Sequence, residues 1–125
     1  MVHILSAERG WLDRCGGTRR DGALDPSDYP TVASLVARWQ QVEGYVREFL
    51  STLRDQDLDR TVESAIGGGP KQTMRLGQLM HHSANHAVHH RGQVALLLRI
   101  LGYAPGNFDI PFYYPQTSVV STALV

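Results

Sequence analysis

The sequence predicts an all-α fold, an up-and-down helical bundle with one small hairpin. Three observations carry this. Residues 31–54 and 76–101 each repeat apolar side chains at steps of three and four, the spacing that builds one helix face. Residues 1–15 read as a third helix, closed by Gly16-Gly17. The one break with strand character is short and carries a glycine run at 67–69. A chain of 125 residues fits one domain able to bury a real core. The expected division is a bundle over 1–115 and a disordered tail over 116–125.

In the first helix Ile4, Ala7, Trp11 and Cys15 form an apolar ridge flanked by His3. Met1, Leu5 and Leu12 lie on another side, and a helix apolar on two sides is normally sandwiched between neighbours. Residues 16–30 are rich in Gly, Asp and Pro and read as a loop. The next helix has two candidate starts, Thr31 as N-cap or Asp28 with Pro30 in the first turn. Val32, Leu35, Val36, Trp39, Val42, Val46, Phe49, Leu50 and Leu53 then mark its inner face, with Trp39 and Phe49 as core. Leu58 to Ser64 suits a short strand that returns through Lys71–Met74. The glycine run lacks the Gly-Lys-Ser/Thr ending of a phosphate loop. The last helix is expected over Leu76–Leu101, with Thr73 as N-cap and Gly102 as its stop. Its inward stripe is Leu76, Met80, Ser83, Ala87, His90, Val94, Leu97 and Leu101.

Composition narrows the function classes. Twelve basic residues balance twelve acidic ones, which argues against a general nucleic-acid binder. One cysteine, Cys15, permits no internal disulfide and gives no sign of an oxidising compartment. No stretch approaches the ~20 apolar residues of a membrane span, and no signal peptide is visible. The expectation is a cytoplasmic protein with no nucleic-acid or membrane partner.

Five of the six histidines fall within residues 81–90. Histidine is the commonest metal ligand. At about 100° per residue, His86 lies about 40° from His90 on the inward face of the last helix. His82 and His89 fall at its edge, and His81 faces solvent. His86 and His90 therefore make an inward HxxxH pair, a spacing at which two imidazoles can share one ion. Burying bare imidazoles is unfavourable unless something satisfies their nitrogens. Two readings compete, a metal-ligand pair or hydrogen-bonded core histidines, and a rotated helix would offer His82 with His86 or bring in His89 instead. A third histidine ligand leaves only His3.

The stretches HILSAERGWLDR at 3–14 and HHSANHAVHHRGQVALLLRILGYAPGNFDIPFYY at 81–114 resemble the DinB/YfiT-like family of candidate metalloenzymes. Asn85, His86, His90, Arg91, Gly92, Gln93, Leu101, Gly102, Asp109 and Tyr113 match its signature in place. The resemblance implies a four-helix bundle with a three-histidine divalent metal site, His3, His86 and His90. Zinc or nickel suits imidazole ligation, and the resemblance implies activity of the thiol-dependent transferase or isomerase type on a small thiol or small-molecule substrate. The other reading is a bundle that holds metal without turnover, or serves dimerisation. Glu8, Gln93, Asp109 and Tyr113 are candidates for supporting or acid/base roles, and Arg91 is expected to tie the tail to the last helix. The family's first helix has no counterpart ahead of His3, leaving three long helices of four. Apolar surface would then face water, more than a soluble monomer usually shows, so a homodimer is expected.

Overall fold

The computed structural model describes residues 1–16, 22–65, 68–107, 109 and 111. The described residues form three long helices and one two-stranded hairpin, a mostly helical protein. Helix α1 spans Val2–Gly16, α2 spans Val32–Thr52 and α3 spans Leu76–Ile100. Strands β1, Thr61–Ala65, and β2, Lys71–Arg75, pair antiparallel between α2 and α3. Met1–Val94 form one compact unit and Ala95–Val125 a second.

Local chemistry explains most of the boundaries. Thr31, not Asp28, caps α2: its hydroxyl accepts from the Ser34 backbone N–H, and the Ser34 hydroxyl accepts from Thr31 N–H. Asp28 instead ends a separate 3-10 turn, Pro26–Asp28, which Asp25 caps by accepting from Ser27 N–H at 2.9 Å. That hydrogen bond holds the Asp25 carboxyl below the usual carboxylate range. At the other end of the chain Gly102, at φ 83°, stops α3. The Tyr103 and Gly102 N–H groups donate back to Leu98 and Arg99, closing a Schellman motif.

Two expectations about this region need correction. Thr73 does not cap α3, because it lies inside β2, paired with Glu63. The helix grows directly out of the strand: Leu76 N–H donates to the Arg60 carbonyl at 2.8 Å, and Arg75 N–H to the Gln78 side chain at 3.0 Å. Strand β1 is also shorter than expected, since Leu58 belongs to a 3-10 turn over Asp55–Asp59.

The core of the first unit has two parts. Leu5 of α1 packs with Leu35 and Val42 of α2, joined by Val2, Trp39 and Val46. Trp11 and Cys15 of α1 pack with Leu76 and Leu79 of α3, joined by Phe49 and Leu53 from the end of α2. The first half of α1 thus meets the first part of α2, and its second half meets the end of α2. These two helices run in the same direction, which departs from a strictly up-and-down order. The long connection between them is what permits this. Its described part is fastened down: Leu24 N–H donates to Ser6 Oγ at 3.0 Å, the Arg9 guanidinium donates to the Gly22 carbonyl, and Leu24 and Tyr29 join the α1–α2 core.

The expected stripe on α3 is only partly inward. Leu76 is fully buried, but so is Leu79, which the stripe omitted. Leu97 and Leu101 are 58% and 70% exposed, with Leu96, Ile100 and Tyr103 similarly open. The three-and-four spacing marks a helix face but not what covers it. No described helix is long and apolar enough to cross a membrane. The proposed tail at 116–125 lies outside the described residues.

Leu79 has no solvent exposure and touches both α1 and the hairpin region of the core. Leu79→Ala is expected to cost about 2–5 kcal/mol of unfolding free energy. Urea denaturation would measure it, and a loss below ~1 kcal/mol would place this residue outside the core.

Candidate metal centre

Helices α1 and α3 run antiparallel, and one register sets the site. Cys15 and Trp11 meet Leu76 and Leu79 at one end. Twelve residues of α1 separate Cys15 from His3, roughly 18 Å, and eleven residues of α3 separate Leu79 from His90, roughly 16 Å. His3 therefore arrives opposite the inward turn of α3 that carries His86 and His90. The three ring pairs have centroid separations of 5.5 Å (His3–His86), 4.7 Å (His3–His90) and 4.4 Å (His86–His90).

One ring nitrogen from each of these histidines lies within 4.8 Å of the other two, so the group can hold a metal ion. His90 Nε2 and His86 Nε2 face each other at 3.2 Å. His86 and His90 are half-buried and His3 is exposed. The His86 pKa is held below its ordinary value, first by burial and then by the neighbouring imidazoles of His90, His3, His82 and His89. Both causes favour the neutral ring, which is the form that ligates.

The other histidines take different places. His82 packs on Trp11 with ring centroids 4.4 Å apart, and its ring stands 6.1 Å from His86. His89 is exposed and takes a hydrogen bond from the Gln93 side-chain amide at 3.2 Å. His81 is exposed. The Cys15 thiol is buried in the core, and burial pushes its pKa up, against the opposing charges of Arg60 and Arg14. A thiol of that kind is unreactive.

Of the supporting candidates, Gln93 touches the three-histidine group directly, through His90 Nδ1 at 2.6 Å. Glu8 is half-buried, and its carboxyl is pushed above the usual range by burial, with Arg91 opposing and Glu43 adding to the shift. Arg91 therefore acts on Glu8, while its expected tie to the tail lies outside the described residues. Asp109 belongs to the second unit, where its N–H donates to Asn107. Tyr113 lies outside the described residues.

Sequence reading missed two features. A cleft of about 750 Å³ borders His3 and is walled in part by Trp11, Arg14, Ser64 and Lys71. The buried Ser64 hydroxyl has no hydrogen-bond partner. No periodicity signals a cleft whose walls are far apart in sequence. The strand alternation does place Ser64 on the same face as Val62, and that was the available clue.

The raised Glu8 pKa has a defined consequence. Below about 4.5, the ordinary value, the carboxyl is protonated in both folded and unfolded chains. The associated stability is full there and is lost as pH rises through the folded pKa. Glu8→Gln keeps a neutral group at all pH. The variant is expected to melt higher than the parent at pH 7, with the gap closing as pH falls below 4.5. A variant that melts lower at pH 7 would show that Glu8 is net stabilised as an anion.

A model of the DinB family matches residues 1–119. The chain is also 27% identical over 105 residues to an uncharacterized protein of Bacillus subtilis (strain 168), YizA. The match takes in 84% of this chain and 64% of that protein, so the chain spans less than two thirds of its relative's length. With almost its whole length matched, this chain belongs to the DinB family.

Proposed function

We propose that this protein binds one divalent cation, zinc or nickel, through His3, His86 and His90, and that it acts as a metal-dependent enzyme on a small thiol or a small-molecule substrate. The observation that carries the reading is the convergence of three imidazole nitrogens within 4.8 Å from two different helices. Three neutral ligands, with no fourth in the group among the described residues, describe an open, catalytic type of site. A cation held there would supply a Lewis acid, able to polarise a carbonyl or lower the pKa of a thiol or water.

The chain's own residues fit the remaining tasks. The lowered His86 pKa favours the neutral, ligating ring. The cleft has His3 in its wall and gives a small molecule room beside that imidazole, on the α1 side. Cys15 is buried about 18 Å along α1 from His3, so a reacting thiol has to be brought in as a substrate or cofactor. A thiol-dependent transferase or isomerase in the cytoplasm is the activity class this arrangement suits.

Two variants test the site. His86→Ala and His90→Ala are each expected to abolish stoichiometric metal binding, whereas His81→Ala retains it, measured by metal analysis of purified protein. Equal metal content in all three variants would contradict the ligand assignment. Thiol-transfer assays with and without chelator then separate an enzyme from a bundle that holds metal without turnover.

We also propose a homodimer, with α1–α3 contributing to a four-helix bundle architecture. The open apolar residues Leu96, Leu97, Ile100 and Leu101 support it, because a helix apolar on most sides is normally covered. Light scattering behind size exclusion is expected to give twice the chain mass, and Leu97→Glu to shift it toward the monomer. A parent chain that stays monomeric from low to high concentration would contradict this.

A further inference from the structure

We propose that Gln93 is a positioning residue for the metal centre: its side-chain amide selects the tautomer of His90, and His89 holds the amide the right way round. The proposal rests on the three-histidine reading and deepens it.

The argument follows from donor and acceptor types. Gln93 Oε1 stands 2.6 Å from His90 Nδ1. A carbonyl oxygen only accepts, so His90 Nδ1 carries the proton and donates it. Neutral His90 then has its lone pair on Nε2, the nitrogen that faces His86 Nε2 at 3.2 Å. This is the nitrogen the three-histidine group needs. With that lone pair accepting, His86 Nε2 is the donor in the 3.2 Å contact.

The reversed amide would do the opposite. An NH2 group facing His90 Nδ1 would require a lone pair there and would place the His90 proton on Nε2, inside the site. His89 opposes that reversal. Gln93 Nε2 stands 3.2 Å from His89 Nε2 and donates to it. Turning the amide over would bring its oxygen to His89 and its NH2 to His90, and both rings would have to change tautomer. The i,i+3 and i,i+4 spacings from His90 and His89 to Gln93 let one side chain reach both rings on a single helix. Partners that orient ligating histidines typically change metal affinity by about 10–100-fold when removed.

The test reads the tautomer directly, in metal-free protein at pH 8, by long-range proton–nitrogen correlation of the histidine rings. His90 of the parent chain is expected to show a protonated Nδ1 and a bare Nε2. In Gln93→Leu the two tautomers should mix, and zinc affinity should fall by about 10–100-fold. Gln93→Glu offers only acceptor oxygens and is expected to restore both the tautomer and most of the affinity. His89→Ala should give a tautomer mixture between those of the parent and Gln93→Leu. Thermal melts of each variant confirm folding, and both Gln93 and His89 are exposed. A parent His90 protonated on Nε2 would overturn the proposal. So would a Gln93→Leu variant that keeps either the parent tautomer or the parent affinity. If the parent chain binds no zinc at all, the three-histidine reading fails by itself, while the ring spectra still decide what Gln93 does to His90.

Discussion

The contact of Trp11 and Cys15 with Leu76 and Leu79 sets everything else at the site. Those side chains fix the axial register of α1 against an antiparallel α3. Rigid helices carry the register about 16–18 Å further, to the level where His3 meets His86 and His90. A slip of one turn, about 5.4 Å, would break the triad while leaving both helices intact. Hydrophobic packing at one end of the helix pair therefore controls polar geometry at the other. Trp11 bridges the two regions, since it belongs to the core and His82 packs against its ring.

Most of this was legible in the sequence where the signal is local. The i,i+4 spacing and the angular position of His86 and His90 needed only helical periodicity. The Gly102 stop was legible because a left-handed residue favours glycine. The hairpin followed from its glycine run. Three features were not legible, each because it depends on tertiary context. Thr73 has the chemistry of an N-cap, yet strand pairing with Glu63 claims it first. Leu79 sits off the regular stripe yet is buried, in a cluster that draws on α1, the end of α2 and the hairpin as well as α3. Leu97 and Leu101 obey the stripe and remain open, because periodicity cannot state which neighbour is present. The shared direction of α1 and α2 was hidden for the same reason, since a connection's length permits a topology without choosing it.

The polar layer follows a different logic from the core. Burial and the neighbouring imidazoles hold the His86 pKa below its ordinary value, which favours its neutral ring. Gln93 accepts from one ring and donates to the next, extending order from half-buried His90 to exposed His89. Glu8 lies outside the three-ring group, and its carboxyl is pushed up by burial with the charge of Arg91 opposing. The arrangement thus separates the groups proposed to ligate from those proposed to orient and from those that only pack. Buried, raised-pKa Cys15 falls in the last class despite being the chain's one thiol.

The most direct test of the central claim is X-ray absorption on the full chain loaded with one equivalent of zinc. The account predicts three imidazole nitrogens at about 2.0–2.1 Å, with the remaining coordination made up by oxygen from solvent. A sulfur ligand at about 2.3 Å, or a shell with fewer than three imidazoles, would contradict it.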